Sequence, residues 1–549
     1  NTVVFELQSR CQKLLGQVIV KHSHTRLLAP PQGLRNIVFT FKERGLTSRG
    51  PLWPALLQRT DEMKTHFFDV TDIVLYVEKE TSVSGIQRVS FEVIKRMVER
   101  HGTQFVHLSY WDRARREYVA IPSDFIAEMD EFDPDILSAV FFGKGARSRQ
   151  ETAPTLERYR NRPMKYWFHY LRSSFHAMRG NEAHFNKHNS SILEWRNFKA
   201  GVLPEPEPKT YDLERTLVSK MAQKGDRLVV LGATWAIDGL DACFQGLADN
   251  QGVEISQLIH DLIPIITPEH IAGDFSQEFY RWLKTSMGYC TSYFGNSKNT
   301  SKDLKAFMEE IGVERPIQTV PLAQKFTVVE SKTAPKPMKG PAGPYKTRVD
   351  RTLGLRREIL NLSKVPFVLV VGTMESRKNI WRLAQAWQRL SREEGLNVPK
   401  LVFAGKPGWY NDDFNQLMRG TDNLGGWVQF ADRPTDTELG YLYETCVFTA
   451  MVSFYEGWGL PIGEGLSFGK TGVVADNSSM PEVGGDMVEY CDAHSLDSIH
   501  AACRKLIADP AHREALEAKI AATKLRTWDD VTNDFVDLLS DAPLLEREK

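Results

Sequence analysis

The chain has 549 residues, too many for one hydrophobic core, so two or more large domains are expected. Its 69 Lys and Arg against 70 Asp and Glu leave a net charge of −1, which offers no global field to a nucleic acid. Six cysteines (Cys11, Cys243, Cys290, Cys446, Cys491, Cys503) lie scattered without a CxxC or zinc-like spacing, and no apolar run reaches a membrane span, which predicts a reduced, cytoplasmic globular protein without a metal centre.

The sequence opens on Asn1 and not on Met, as an excised or processed piece with sequence before it would. Residues 1–64 show a helical pattern over Val4–Val20, broken afterwards by Leu27–Gly33 and Ser48–Pro54, and receive no role. A first α/β domain is read over 65–324. FFDVTDIVLYV (Phe67–Val77) alternates as a strand, EKETSVSG forms a loop, and Ile86, Val89, Val93, Ile94, Met97 and Val98 recur as the apolar face of a helix. Gly85 permits close backbone approach and Arg88 at the helix start can reach a phosphate, although a plain turn with a surface arginine has the same pattern.

A basic insertion follows over 144–210. Between Lys144 and Lys199, twelve Lys and Arg stand against four acids. Trp167, Tyr170, Leu171, Phe175 and Met178 share one face of a helix and His169, Arg172, His176 and Arg179 another, so the segment suits either an anionic membrane surface or packing of its stripe into the first domain. KTYDLERTL (Lys209–Leu217) reads as the start of a further helix. Strands and helices then alternate from Asp226 to Thr300. VEISQLIHDLIP places His260 at the end of a strand, where an imidazole can bind a hydroxyl or move a proton, or be structural, with Asp261 and Pro264 shaping the turn. Tyr289–Phe307 and Ile317–Gln324 close the domain, and a Pro/Gly/Lys-rich linker occupies 325–360.

The second domain, 361–549, opens with VPFVLVVGTMESRKNIWRLAQAW. A buried strand gives way to a turn in which Arg377 and Lys378 and the following helix start can converge on one anion. Later, Phe454–Asp486 carries Glu456 on a glycine-rich loop and, after seven intervening residues, Glu464 inside a helix. The last helices, about Leu496–Leu539, pack on this domain and cross back.

EGWGLPIGE (Glu456–Glu464) closely resembles the signature phrase of the family 4 retaining glycosyltransferases. GTMESRKN (Gly372–Asn379) is similar to that family's GTxEPRKN, with Ser376 in place of the proline, and HDLIP and the Gly85–Arg88 turn look like its first-domain phrases. The likeness is near continuous over Gly372–Gly485 and patchy before it. It implies the GT-B fold, two doubly wound Rossmann-like α/β domains facing across a cleft. It also implies a nucleotide-sugar donor held by Gly372, Thr373, Arg377, Lys378, Gly457, Gly459, Leu460 and Glu464, with Glu464 on the ribose and the basic pair on the diphosphate. Glu456 and His260 are implied at the catalytic centre, with Ser84, Gly85, Arg88 and Asp261 lining the cleft from the acceptor side.

Further implications are retention of configuration, no metal and no other cofactor, GDP-mannose as first donor, and a growing, lipid-linked polysaccharide of the O-antigen kind as acceptor at the inner membrane face, to which the basic pattern of 144–199, on the first of its two readings, adds peripheral contact. Asp133 and Asp135 spell the Asp-x-Asp used by metal-dependent sugar transferases of another fold, but in a bare acidic loop, and no metal is assigned there. Two other classes fit the same fold: a nucleotide-sugar epimerase or phosphorylase, and a non-catalytic glycan-binding module of a larger polymerase.

Overall fold

The computed structural model describes residues 64–541, apart from most of 79–84, 143–161, 187–190, 200–212 and 327–353 and a few isolated positions. The readings made on residues 1–63, on Ser84 and on most of the linker lie outside the described residues.

Two sheets carry the fold. The first comprises β1 (His66–Asp69), β2 (Val106–Asp112), β3 (Glu117–Pro122), β4 (Thr216–Leu217), β5 (Arg227–Val230), β6 (Glu254–Ile259), β7 (Ser292–Gly295) and β8 (Ile317–Thr319), in the order β4-β3-β2-β1-β5-β6-β7-β8. Strands from β2 to β8 along this order pair parallel, whereas β3 is antiparallel to both neighbours. The second comprises β9 (Phe367–Val371), β10 (Lys400–Gly405), β11 (Val428–Asp432), β12 (Thr449–Met451), β13 (Gly472–Ala475) and β14 (Glu489–Cys491), all parallel in the order β11-β10-β9-β12-β13-β14. Parallel strands need crossovers that cover both faces, so apolar residues point to both: Phe67 and Phe68 are both fully buried on opposite faces of β1. These are two doubly wound α/β domains.

Two expectations are corrected, and a third reading that left two alternatives open is decided. Phe67–Val77 is not one strand: β1 stops at Asp69, and Thr71–Val77 is helix α1. Buried Asp69 accepts from the Thr71 amide (3.2 Å), the Thr71 hydroxyl (2.7 Å) and Tyr118 Oη (2.7 Å), which turns the chain, and Ile73, Val74 and Val77 then form one helical face. Lys209–Leu217 does not begin a helix in its described part, because Thr216 and Leu217 pair with Ala120 and Val119; the helix starts at Val218. The third concerns the basic insertion. After helix α2 (Gly85–His101), helix α3 (Pro163–Met178) leaves its apolar stripe exposed instead of packing it into the first domain. It packs through its other side, where Tyr166, Tyr170 and Ala177 meet Leu156, Phe185, Ile192 and Trp195 in a small core of their own. The lesser, aromatic side of α3 already provides the attachment.

The two domains share apolar interior. One cluster runs from Val89, Leu108 and Leu322 of the first into Met451, Trp458 and Ile462 of the second, and on to Phe535. Phe535 belongs to the last described helix, Trp528–Asp541, which crosses back onto α2: Arg96 Nε meets Asp529 at 3.0 Å and Arg100 Nη1 meets Asn533 at 2.6 Å. Phe535 is fully buried, edge-on to Phe294 at 5.1 Å. Phe535→Ala is expected to lower stability by roughly 3–5 kcal/mol through loss of transfer free energy and a residual cavity, read as a lower urea midpoint; a change under about 1 kcal/mol would show that this helix does not hold the domains together.

Candidate active site

The site is built on the turn after β9. Gly372 takes φ +136°, a short turn Ser376–Lys378 follows, and Asn379 adopts φ +56°, ψ +29° before helix α4 (Ile380–Leu390). That left-handed conformation is unfavourable for most side chains and comparatively open to Asn. Asn379 is buried, and its Nδ2 donates to the carbonyls of Val452 (3.0 Å) and Ala493 (2.8 Å), which fastens the turn to the ends of β12 and β14. Arg377 and Lys378 therefore project from a rigid base. Gly372, Thr373, Lys378, Met451 and Ser453 line a recess beside it.

Both cations converge on one carboxylate. Glu456 Oε1 lies 2.6 Å from Lys378 Nζ and 2.8 Å from Arg377 Nη1, while Arg377 Nη2 meets Glu375 Oε1 at 2.6 Å. Burial pushes the Glu456 carboxyl up, but Arg377 and Lys378 outweigh it and hold the group at about 2. Burial likewise disfavours charge on Arg377, yet Glu456, Glu375 and Asp261 raise its pKa above the ordinary arginine value. The loop is held too: the Glu456 amide donates to Ser478 Oγ (3.1 Å), and Ser479 Oγ donates to the Glu456 and Trp458 carbonyls (2.8 and 3.0 Å).

Gly459, at φ +99°, turns the chain into helix α5 (Leu460–Ser467), which carries Glu464. Tyr443 Oη donates to Glu464 Oε2 at 2.6 Å, and Arg88 reaches Glu464 Oε1 at 3.6 Å while pairing with Asp436 at 2.7 Å. Burial raises the Glu464 pKa against the opposing pull of Arg88 and Tyr443. Arg88 of the first domain thus contacts the second, lying also over the Phe326 ring at 5.4 Å.

The first domain meets this loop closely. A Cβ on Gly457 would lie 1.9 Å from the His260 carbonyl oxygen and 2.8 Å from Asp261 Cβ, and one on Gly85 would lie 3.3 Å from Leu460 Cδ1. His260 Nε2–H donates to the Leu231 carbonyl at 2.7 Å, which leaves Nδ1 as the acceptor. Burial lowers its pKa to about 4, so the ring is neutral. Asp261 caps the next turn through the Ile263 amide (3.0 Å); burial raises its carboxyl to about 6 although Arg377 pulls it down.

Arg377, Lys378, Glu456, Gly457, His260 and Asp261 are thereby gathered at one place. Gly372 and Thr373 line the adjoining recess, and Gly85, Arg88, Gly459, Leu460 and Glu464 form a second group along α5. Asp133 instead accepts from the Ile136 amide at 3.2 Å at a helix start.

Other residues at the cleft were not singled out from the sequence. His270 Nδ1 pairs with Ser376 Oγ at 2.9 Å, its ring stacks on Phe454 at 5.2 Å, and its carbonyl accepts from Trp409 Nε1 at 2.9 Å. Ser376 thus makes an interdomain hydrogen bond that a proline at this position could not. Glu482 accepts the amides of Lys298 (2.8 Å) and Asn299 (2.9 Å) at the start of helix Lys298–Glu310, and Tyr455 Oη bonds Asp303. Glu482 lies on the short helix Met480–Gly484, where the sequence read as a loop.

Residues 355–523 match the family described as Glycosyl transferases group 1. The matched segment contains the Arg377–Lys378–Glu456 cluster and α5. Over 172 residues the chain is 37% identical to the O-antigen chain mannosyltransferase B of Escherichia coli, covering 31% of this chain and 44% of that protein. Over 326 residues it is 23% identical to a serotype-specific mannosyltransferase WbdA of Escherichia coli, covering 56% and 37%. The matches thus span less than half the length of these curated relatives. Among solved structures, Anabaena HepE in complex with UDP-glucose aligns at 11% identity and TM-score 0.48 over 87% of this chain and 99% of that one. The Escherichia coli trehalose-6-phosphate structure bound with UDP-2-fluoro glucose aligns at 11% and TM-score 0.47, over 88% and 100%.

Two outcomes are expected of the loop that carries Glu456 and Gly457. Gly457→Ala places a methyl on the His260 carbonyl, so the domains must separate, and small-angle scattering should show a larger radius of gyration with roughly 1–3 kcal/mol lost; an unchanged radius would contradict the packing. The Glu456 carboxyl sits below its ordinary 4.5, so its contribution is complete above pH 4.5 and is lost as pH falls towards about 2. Urea unfolding of the wild type and Glu456→Gln should therefore differ by a constant amount, on the order of 3 kcal/mol, above pH 4.5, with the gap closing below it.

Proposed function

We propose that the chain is a retaining, metal-independent glycosyltransferase that moves mannose from GDP-mannose to a growing, lipid-linked cell-surface polysaccharide of the O-antigen kind, working at the inner face of the cytoplasmic membrane. The observation that carries the reading is the convergence of Arg377 and Lys378 on the buried Glu456 at a cleft that His260 and Asp261 close from the other domain. The choice of mannose is supported by the names of the two relatives.

In the reaction, the bond between the sugar's anomeric carbon and the diphosphate oxygen breaks, the acceptor hydroxyl oxygen bonds that carbon, and its proton leaves with the nucleoside diphosphate. The departing charge needs fixed cations in a site poor in water, which Arg377, Lys378 and the backbone at Gly459 and Leu460 supply. The diphosphate competes with Glu456 for both cations and frees its carboxylate to meet the donor sugar, whose anomeric carbon gains positive charge. Glu456 acts there by electrostatics and position. Glu464 takes the ribose hydroxyls, and neutral His260 offers Nδ1 to a hydroxyl of sugar or acceptor.

The test is turnover of GDP-mannose, UDP-glucose and a dTDP-sugar with and without a mannan oligosaccharide. GDP-mannose should be consumed only with acceptor present, and Lys378→Ala and Glu456→Gln should each lower kcat/KM by about 10²–10³ in protein with an unchanged circular dichroism spectrum. Donor consumption without acceptor would point to epimerase or phosphorylase chemistry. Undiminished activity in either variant would remove the site assignment, and the lack of any nucleotide-induced rise in Tm would leave a glycan-binding module.

A further inference from the structure

Among the described residues, nothing packs on one face of α3, and the chemistry of that face is unrelated to the cleft. On α3, Met164, Trp167, Phe168, Leu171, Phe175 and Met178 are 50–85% exposed. At 3.6 residues per turn they fall within an arc of about 100°, running the helix's length of about 24 Å. Isolated exposed apolar side chains are ordinary, but six large ones in one stripe are not. Lys165, Arg172 and Arg179 are exposed along one border of this stripe, with the Arg179 guanidinium over the Phe175 ring at 4.5 Å, and Arg162 is exposed at the N-terminal end. Between Pro163 and Met178 there is no acidic residue. The opposite side is occupied, with Ser173 and Ala177 buried and Tyr170 against Trp195 at 5.2 Å, so the helix has one free face and that face is apolar.

We infer that α3 is an interfacial helix that lies on the anionic surface of a lipid bilayer, its stripe in the headgroup–acyl boundary and its cations on lipid phosphates. Charge complementarity selects this occupant over a second copy of the chain. A two-fold pairing of α3 would set Lys165, Arg172 and Arg179 against the same residues with no acid on the helix to offset them. An anionic membrane satisfies the apolar stripe and its basic border at once, and a tryptophan within the stripe suits the interface. Such docking would hold the first domain where a lipid-linked acceptor is found, but it does not depend on the sugar chemistry proposed above.

The test uses the full chain without nucleotide, sedimented with vesicles of phosphatidylcholine alone or mixed with phosphatidylglycerol. Binding is expected on the mixed vesicles and much less on the neutral ones. Trp167→Glu combined with Leu171→Glu should weaken it by about tenfold or more. Lys165→Glu combined with Arg172→Glu should do the same on mixed vesicles alone and make binding indifferent to phosphatidylglycerol. All four positions are exposed, so thermal unfolding and transferase turnover on a soluble acceptor should stay as in the wild type. Absence of sedimentation with mixed vesicles overturns the inference, as does equal binding by either double variant. A lipid-free dimer that the Trp167/Leu171 variant converts to monomer in light scattering overturns it as well, since a second copy would then own the stripe.

Discussion

A single buried carboxylate constrains much of this structure. Glu456 lies almost out of water, and a lone charge there would be driven to neutralise; two cations at 2.6 and 2.8 Å keep it ionised instead. Those cations must be delivered from a fixed base, and the left-handed Asn379 with its two backbone hydrogen bonds is what fixes it. The dependence also runs the other way. Arg377 and Lys378 are held close together despite their mutual repulsion because Glu456 and Glu375 sit between and beside them.

The same loop sets how near the two domains can come. Gly457 carries no side chain where one would strike the His260 carbonyl, and its neighbours Tyr455 and Leu460 touch Asp303 and Gly85 of the first domain. Ser376 adds a hydrogen bond to His270, and Glu482 caps the helix that starts at Lys298. Contacts of this kind are polar and local, unlike the apolar cluster behind them that runs through Trp458 to Phe535. Behind the cleft the domains share a core, whereas at its mouth they are joined by groups that can exchange partners with a ligand.

Much of the second domain was legible in the sequence because its strands are short apolar runs ending in glycine turns, and the charged residues follow those turns directly. The helix over Ile380–Leu390 and the placement of Glu456 on a loop and Glu464 in a helix follow from spacing alone. The first domain was less open to such reading. Phe67–Val77 alternates convincingly until Asp69 ends the strand, and that ending depends on Tyr118, 49 residues away. Thr216 and Leu217 leave a helical pattern for the same kind of reason, pairing with β3. His270, Glu482 and Tyr455 bear no local mark of importance, since their partners lie 106, 183–184 and 152 residues distant. Helix α3 is the converse case: periodicity located it, but which side would pack could be decided only by where Trp195 and Phe185 were found.

Arg88 shows how the proposed chemistry and the fold would communicate. It leaves the first domain to meet Asp436 at 2.7 Å and Glu464 at 3.6 Å, and Tyr443 already occupies the other oxygen of Glu464. On the proposed reading, ribose hydroxyls that donate to Glu464 enter beside this arginine and either displace it or join it. Displacement removes an ionic tie between the domains just as the diphosphate draws Arg377 and Lys378 away from Glu456, so binding of the donor loosens the mouth of the cleft on the side where the acceptor must enter. Joining it does the opposite and locks the domains over the donor. The longer of the two Arg88 contacts is the one to Glu464, which has a pKa raised by its burial, so this pairing is the weaker tie and the one a ligand breaks first, while Asp436 keeps the arginine at hand for the return.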